Sequence, residues 1–410
     1  MVNTLWLSMF LIAFIIAIGN IIFNHDISTF DSIIKAIFDN AQLGVKISIG
    51  LIGILSFWLG ILKIIEEAGI AKILSKKLTP LFRIIMKDVP ENSPAISTVV
   101  LNMSANFLGL DNAATPMGIK AMKELQEHNP KKDEASDAQI LFMILNASSV
   151  TLIPITIFMY RMQLGATRPT DVFIPILLST SVSTIVGFLL VAIKQKIKLT
   201  NKILLKWIVV FFIIVSSISF VFYLIEPEKR LVFSSGIGNI LLSLIILSVF
   251  IIAIKNKINC YDCFITGAKE GFNVAITILP YLVAMLVVIG VFRASNALDL
   301  IVETIKHLCS IINIDTTFVD ALPTALMKPL SGSGARAMMI ETMQNHGADS
   351  FVSFISCVIQ GSTETTFYVL SVYFGAINIY KTRYALKYAL ISDIAGILSA
   401  IFFSYLFYNA

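Results

Sequence analysis

Asn102 and Asn106 stand four residues apart, and Asn146 and Ser149 three apart, in stretches that are otherwise apolar. On helices each pair shares a face, so their amide and hydroxyl groups can line one polar seam. Such groups bind rather than catalyse: they are neutral donors and acceptors suited to holding a small polar solute, and no catalytic constellation accompanies them.

Both pairs sit in longer motifs rich in small polar residues, and each motif has a second version. Residues 102–116 read Asn-Met-Ser-Ala-Asn-Phe-Leu-Gly-Leu-Asp-Asn-Ala-Ala-Thr-Pro, and 146–151 read Asn-Ala-Ser-Ser-Val-Thr. Further on, 328–336 read Lys-Pro-Leu-Ser-Gly-Ser-Gly-Ala-Arg, and 360–365 read Gln-Gly-Ser-Thr-Glu-Thr. The candidate solute-binding residues of the first pair of motifs are Asn102, Asn106, Asp111, Asn112, Thr115, Asn146, Ser148, Ser149 and Thr151. Those of the second are Lys328, Ser331, Ser333, Arg336, Gln360, Ser362, Thr363, Glu364 and Thr365.

Gly109 with Asp111 and Asn112 supplies the backbone freedom for one tight reversal, and Gly332 with Gly334 for a second. The helix starts that follow present free N–H groups to an anionic or carbonyl-bearing ligand, and Pro116 suits the first turn of such a helix. Two other readings stay open. Small polar residues also serve as glue between close-packed helices, and Arg336 with Glu364 can form a structural ion pair, although a charge at membrane depth equally marks a substrate, ion or proton role.

The elements that must position these residues are membrane helices. Of 410 residues 57% are hydrophobic and 14% charged, and the mean hydropathy is +0.85, a composition foreign to soluble domains. Windows long enough to cross hydrocarbon run over residues 4–23, 47–62, 138–160, 172–193, 207–225, 231–254, 271–292, 365–380 (with a start as early as 351) and 394–410. The first is read as an uncleaved helix, since no basic residue precedes it.

Lys and Arg gather at 72–87, 194–206, 255–257 and 381–387, which the positive-inside rule places in the cytoplasm. Span parity then puts the N-terminus in the cytoplasm and the C-terminus outside. The net charge of +5 is therefore a signal of topology, not of nucleic-acid binding. Residues 70–85 alternate basic and apolar positions at helical spacing, as in a helix lying on the membrane surface.

Residues 87–137 and 293–350 read as re-entrant hairpins, whose irregular backbone is tolerated when buried in protein. A shift of 221 residues sets Met117, Ile119 and Met122 on Met338, Ile340 and Met343, and a shift of 214 sets Asn146 on Gln360. The spans before the two hairpins run in opposite directions. The expected fold is an all-α polytopic membrane protein with about nine transmembrane helices and two re-entrant helical hairpins in two inverted-topology repeats, a plan that places a solute where interrupted helices meet. Its expected parts are an N-terminal transmembrane helix (1–29), a first repeat (30–195), two linking helices (196–259) and a second repeat (260–410).

The same motifs carry a family resemblance. Residues 30–195, through the motif at 102–122, resemble spore maturation protein A, and residues 260–410, through 327–336 and 360–375, resemble spore maturation protein B. The chain is thus similar to a fusion of the two. The resemblance implies a nucleoside-recognition or gate domain, similar to parts of concentrative nucleoside transporters and of the ferrous-iron transporter's membrane domain, and a link to dehydration of the spore core.

No phosphate-binding loop or Ser/His/Asp arrangement is recognisable. Cys260 and Cys263 form a C-x-x-C without a second ligand pair, and the four histidines lack metal spacing. The sequence therefore points away from an enzyme and calls for no cofactor or metal. It points to a secondary transporter or facilitator in the bacterial cytoplasmic membrane for a small polar solute, nucleoside-like or a small anion, at the interface of the two repeats. The alternatives are a partner-dependent gate and a structural protein of spore maturation. Expected partners are the lipid bilayer, the solute or an ion, and a second copy or another membrane protein, with no nucleic acid.

Overall fold

The computed structural model describes residues 2–25, 27–90, 93–108, 111–148, 151–152 and 154–408, with the side chains at 2, 24, 111–113 and 227 outside the description. Seventeen α-helices make up the described chain; among the described residues there is no strand, only an isolated bridge between Glu134 and Lys381.

Numbered in chain order, seven helices are long and apolar enough to cross a membrane: α1 (Val2–Asn24), α2 (Ser28–Glu67), α8 (Phe173–Lys194), α9 (Lys202–Leu224), α10 (Pro227–Lys255), α11 (Cys260–Ala294) and α17 (Ala385–Tyr408). Backbone polar groups find no water in hydrocarbon, so an uninterrupted apolar helix satisfies them internally. The other two windows are each broken into two half-helices: α6 (Asp137–Ala147) with α7 (Ile155–Gln163), and α15 (Phe351–Ser362) with α16 (Thr366–Gly375). Both breaks fall on the polar motifs, where Ser and Thr side chains compete with the helical ladder and, in the first, Pro154 lacks an N–H to continue it.

The remaining helices complete two matching series. After α2 come α3 (Ile70–Ile85), the hairpin of α4 (Pro94–Phe107) and α5 (Asp111–Glu127), then α6, α7 and α8. After α11 come α12 (Ala297–Ile311), a 3-10 turn at Val319–Ala321, the hairpin of α13 (Leu322–Met327) and α14 (Gly332–His346), then α15, α16 and α17.

Local devices recur with them. A left-handed residue, Gly69 (φ 70) and Asn296 (φ 64), stands before α3 and α12. Ser136 caps α6 in a capping box with Gln139, and Ser350, 214 residues on, accepts from the Ser353 N–H at the start of α15. In the second hairpin the reversal lies at residues 328–331, ahead of the expected glycines. Gly332 opens α14 and Gly334 is inside it, where an added Cβ would strike Met327 and Met285. Pro116, expected in the first turn of α5, lies inside the helix beyond that turn.

The helices form two compact units. One comprises Met1–Gly60, Thr156–Pro169 and Phe264–Gln360; the other comprises Ile61–Ile155, Thr170–Cys263 and Gly361–Ala410. Each draws on both series. The second unit takes α3 to α6 and α8 from the first series and α16 and α17 from the second, with α9 and α10, and its core runs from Phe82 and Ile96 through Phe142 and Ile144 to Phe374 and Ala389.

Candidate functional site

In the second unit four helices deliver polar groups to one point. Asn106 on α4 donates through Nδ2 to Oδ1 of Asn146 on α6 (2.5 Å), and the Tyr373 hydroxyl on α16 donates to the same oxygen (3.0 Å). Asn102, a turn before Asn106, donates to the Ala114 carbonyl on α5 (2.7 Å) and to the Tyr373 hydroxyl (3.4 Å). The Asn146 amide donates to the Phe142 carbonyl at 2.9 Å.

The Phe142 and Tyr373 rings stack with centroids 5.3 Å apart and planes 3° from parallel. Gly118 on α5 makes room for them, since a Cβ there would collide with the Tyr373 hydroxyl and ring.

The network leaves buried polar atoms around it unpaired. Oδ1 of Asn102 is fully buried without a hydrogen-bond partner, as are the hydroxyl oxygens of Thr363 and Thr366. Thr366 and Tyr373, seven residues apart, share a face of α16. An unpaired buried polar atom costs free energy, so a ligand that brings a donor to Oδ1 of Asn102 gains there.

Beside this cluster the two interruptions touch. The Glu364 N–H donates to the Ala147 carbonyl at 2.8 Å, and the Leu152 N–H to the Phe107 carbonyl at 3.0 Å, so loop backbone satisfies the helix ends. The Thr184 hydroxyl on α8 donates to the Ser148 carbonyl. Gly396 on α17 lies against Thr363, the Ser362 carbonyl and Ser183, leaving no room for a Cβ.

The other unit holds the third motif. Lys328 and Ser331 are 4% exposed. The Ser331 hydroxyl accepts from the Gly334 N–H (3.1 Å) and pairs with that of Ser333 (3.2 Å). The Thr324 and Ser356 hydroxyls join α13 to α15 at 2.7 Å. The Arg336 guanidinium rests over the Tyr160 ring, 5.9 Å from its centroid, and Gln360 is buried with Oε1 unpaired.

The sequence-derived residues therefore divide. Asn102, Asn106 and Asn146 converge through side chains, and Ser148 and Glu364 through backbone groups beside them; Ser362, Thr363 and Thr365 are buried around the second break. Thr115 and Thr151 are half-buried, and Glu364 is exposed. Lys328, Ser331, Ser333, Arg336 and Gln360 belong to the other unit. Gly109 and Ser149 lie outside the described residues, as do the side chains of Asp111 and Asn112.

Three residues escaped the sequence reading. Tyr373 completes the network, and its signal was a hydroxyl in an apolar half-helix beside a polar break. Asp393 is a 1% exposed carboxylate inside α17, next to Ser392, whose hydroxyl meets that of Ser183 at 3.0 Å; its signal was a charge in so apolar a helix. Arg161 at the end of α7 is fully buried and donates to the carbonyls of Ala348 (3.3 Å) and Arg168 (3.4 Å). Among the described residues no group of three His, Cys, Asp or Glu side chains is placed to hold a metal.

The family model described as Gate, nucleoside recognition, matches residues 48–163 and 275–380, together more than half of the chain. The chain belongs to this family. The two matched segments cover the hairpins and broken helices of both series, α3 to α7 and α12 to α16.

Among its relatives are two proteins of Bacillus subtilis (strain 168). Spore maturation protein A is 38% identical over 185 residues, 45% of this chain and 91% of the relative. Spore maturation protein B is 42% identical over 161 residues, 39% of this chain and 89% of the relative. The chain thus joins in one polypeptide what are separate proteins there. No solved structure matches.

Proposed function

We propose that this gate-family membrane protein is a secondary transporter or facilitator for a small polar solute, which it binds where the interrupted helices of its two repeats cross. The observation that carries this reading is the Asn102–Asn106–Asn146–Tyr373 network beside the Ala147–Glu364 contact, with Oδ1 of Asn102 buried and unpaired. Broken helices with polar side chains at the break are the way membrane transporters present a site to a solute.

The chemistry of the unpaired atoms narrows the solute. The Asn102 amide oxygen only accepts, while the Thr363 and Thr366 hydroxyls accept or donate, so a neutral solute bearing both N–H or O–H donors and acceptors, nucleoside-like in that respect, suits them better than a small carboxylate anion, which brings acceptors alone. The remaining proposals follow from this one: hairpins that re-enter the membrane, repeats of inverted topology at 30–195 and 260–410, the N-terminus in the cytoplasm and the C-terminus outside. Spore maturation, the setting in the relatives' names, is the proposed setting here.

The test is the thermal stability of the purified protein against a panel of nucleosides, small carboxylates including dipicolinate, and mono- and divalent ions. A ligand present at about 100 times its dissociation constant adds about 2.7 kcal/mol. A shift given by a nucleoside and lost in Asn102→Ala and Tyr373→Phe supports the reading. A shift given only by anions, unchanged in those variants, sinks it, and silence across the panel favours a gate that works only with a partner.

A further inference from the structure

Around α3 the second unit gathers a surface that solute binding does not use. No acidic residue occurs from 68 to 87 or from 172 to 225, while Lys and Arg crowd the ends of the helices there. Lys72, Lys76 and Arg83 are exposed and fall within about 40° of one another around the α3 axis.

The opposite face, with Ala71, Phe82 and Ile85, is buried. Between the two faces stand apolar side chains left open, Ile73 at 49% exposed and Ile84 half-exposed, with the exposed Lys77 beside them. A helix divided into a buried face, an apolar flank and a basic stripe is built to lie in an interface plane.

The surroundings fix that plane. α3 starts directly after the end of α2, through the left-handed Gly69. Lys87, just beyond α3, donates through Nζ to the Lys196 carbonyl (2.7 Å) in the turn that ends α8 and begins α9. Asn256, past the end of α10, donates to the Ala68 carbonyl at 3.1 Å. Four membrane-spanning helices therefore stop or start around α3, at the level of lipid headgroups. Lys198 and Lys202 are exposed beside it, and Trp207, 39% exposed, stands one further turn along α9.

We propose that the α3 surface and the α8–α9 turn form a binding site for anionic phospholipid headgroups, with two or more phosphates held at once by the α3 stripe and by Lys198 and Lys202. The apolar flank and the neighbouring tryptophan commit the site to lipid: acyl chains cover Ile73, Ile84 and Trp207 while the phosphates meet the ammonium groups. Each basic residue near such a surface contributes to attraction that salt weakens.

Trp207 is the reporter. In a Trp6→Phe/Trp58→Phe background, reconstituted into phosphatidylcholine bilayers with increasing fractions of dibrominated phosphatidylglycerol or dibrominated phosphatidylcholine, quenching of Trp207 measures which lipid sits there. The expected result is a preference for phosphatidylglycerol of about threefold or more, falling towards one in Lys198→Gln/Lys202→Gln and in high salt. Lys120→Gln/Lys123→Gln, which removes the same charge elsewhere, should keep the preference, and size-exclusion profiles check that both variants are folded. Equal quenching by the two lipids, or a preference untouched by Lys198→Gln/Lys202→Gln, overturns the proposal. So does binding of a single-stranded RNA oligonucleotide, lost in that variant, without a lipid preference.

Discussion

At the scale of single residues the polar cluster makes two sharp predictions. Tyr373→Phe keeps the stack on Phe142 but removes the hydroxyl that serves Asn146 and receives from Asn102. Its expected cost is about 1 kcal/mol, read as a lowered melting temperature of the purified protein. Gly118→Ala places a methyl group against Tyr373 and, as overpacking of a filled interior, should cost about 1–3 kcal/mol. The decisive measurement is the double-mutant cycle with Tyr373→Ala, because the cost of Gly118→Ala should largely vanish once the ring is gone. Strict additivity would show that Gly118 is needed for something other than Tyr373. Asn102, Asn106 and Asn146 were legible in the sequence because amides at helical spacing in apolar runs demand partners. Tyr373 was not, since one hydroxyl among aromatics does not say which neighbour it reaches. The choice left open for Arg336 and Glu364, between an ion pair and a substrate or ion role, shows the same limit. Arg336 rests over Tyr160 and Glu364 is exposed, because burial and rotamer, not sequence, decide where a long charged side chain ends.

At the scale of elements the half-helices are held by a clamp at their outer ends, one within each unit. In the first unit Arg161, in the last turn of α7, and Thr167, after it, bind Ala348 and Asp349 ahead of α15: the Thr167 N–H reaches Asp349 at 3.0 Å and the guanidinium stands 3.8 Å from it. In the second, Lys381 and Arg383, after α16, bind Asp133 ahead of α6 (2.6 Å) and Asp137 at its first residue (2.8 Å). Tyr384, whose hydroxyl burial pushes up to about 12, stays protonated and donates to Asp137 at 3.0 Å. The two clamps differ in burial and so in sensitivity. Arg161 is fully buried, and Arg161→Ala, which strands carbonyls and an interior cavity, should cost about 3 kcal/mol with little dependence on salt. A loss under half that size would mean that solvent already reaches the site. The second clamp is exposed, and pH and salt should move it. Lys381 holds the Asp133 carboxyl below its ordinary 3.8, so the stabilisation is complete above that value and disappears as pH falls through the depressed one. Lys381, raised by the same pair, keeps its share until strongly alkaline pH. Melting curves of wild type and Asp133→Asn should therefore differ at pH 6 and low salt, and converge at pH 2 or in 1 M salt; curves that stay apart at pH 2 would refute the assignment.

At the scale of the whole molecule the all-helical membrane architecture, with seven helices long and apolar enough to cross and both breaks, was legible, because hydropathy and small polar residues report directly whether a backbone can cross hydrocarbon. How the helices are shared out was not legible, because nothing local in a half-helix names the distant segment it packs on. Reading the chain in order gives one repeat after the other, with the division in the region 196–259, whereas each compact unit takes helices from both. The second unit needs α16 and α17 from the far end of the chain against α4 to α6 and α8 to α10: Tyr373 closes the asparagine network, Ser392 pairs with Ser183, and the Phe407 ring packs tilted against Phe222 with centroids 4.4 Å apart. The first needs α1, α2 and α7 with α11 to α15, through Arg161 and through the Trp6 indole, which donates to the Ala284 carbonyl at 3.0 Å. A half-chain alone would leave α6 and α8 without α16 and α17, exposing buried serines and asparagines that no lipid can satisfy. Dividing the protein between Ile225 and Glu226, in the short connection from α9 to α10, gives two fragments that should each aggregate or be degraded when expressed alone. Expressed together, with a tag on one fragment only, they should co-purify as a monodisperse complex whose ligand-induced thermal shift matches the intact chain. A first fragment that is stable and monodisperse by itself would mean that the repeats fold independently and that the sharing of helices between them contributes little to stability.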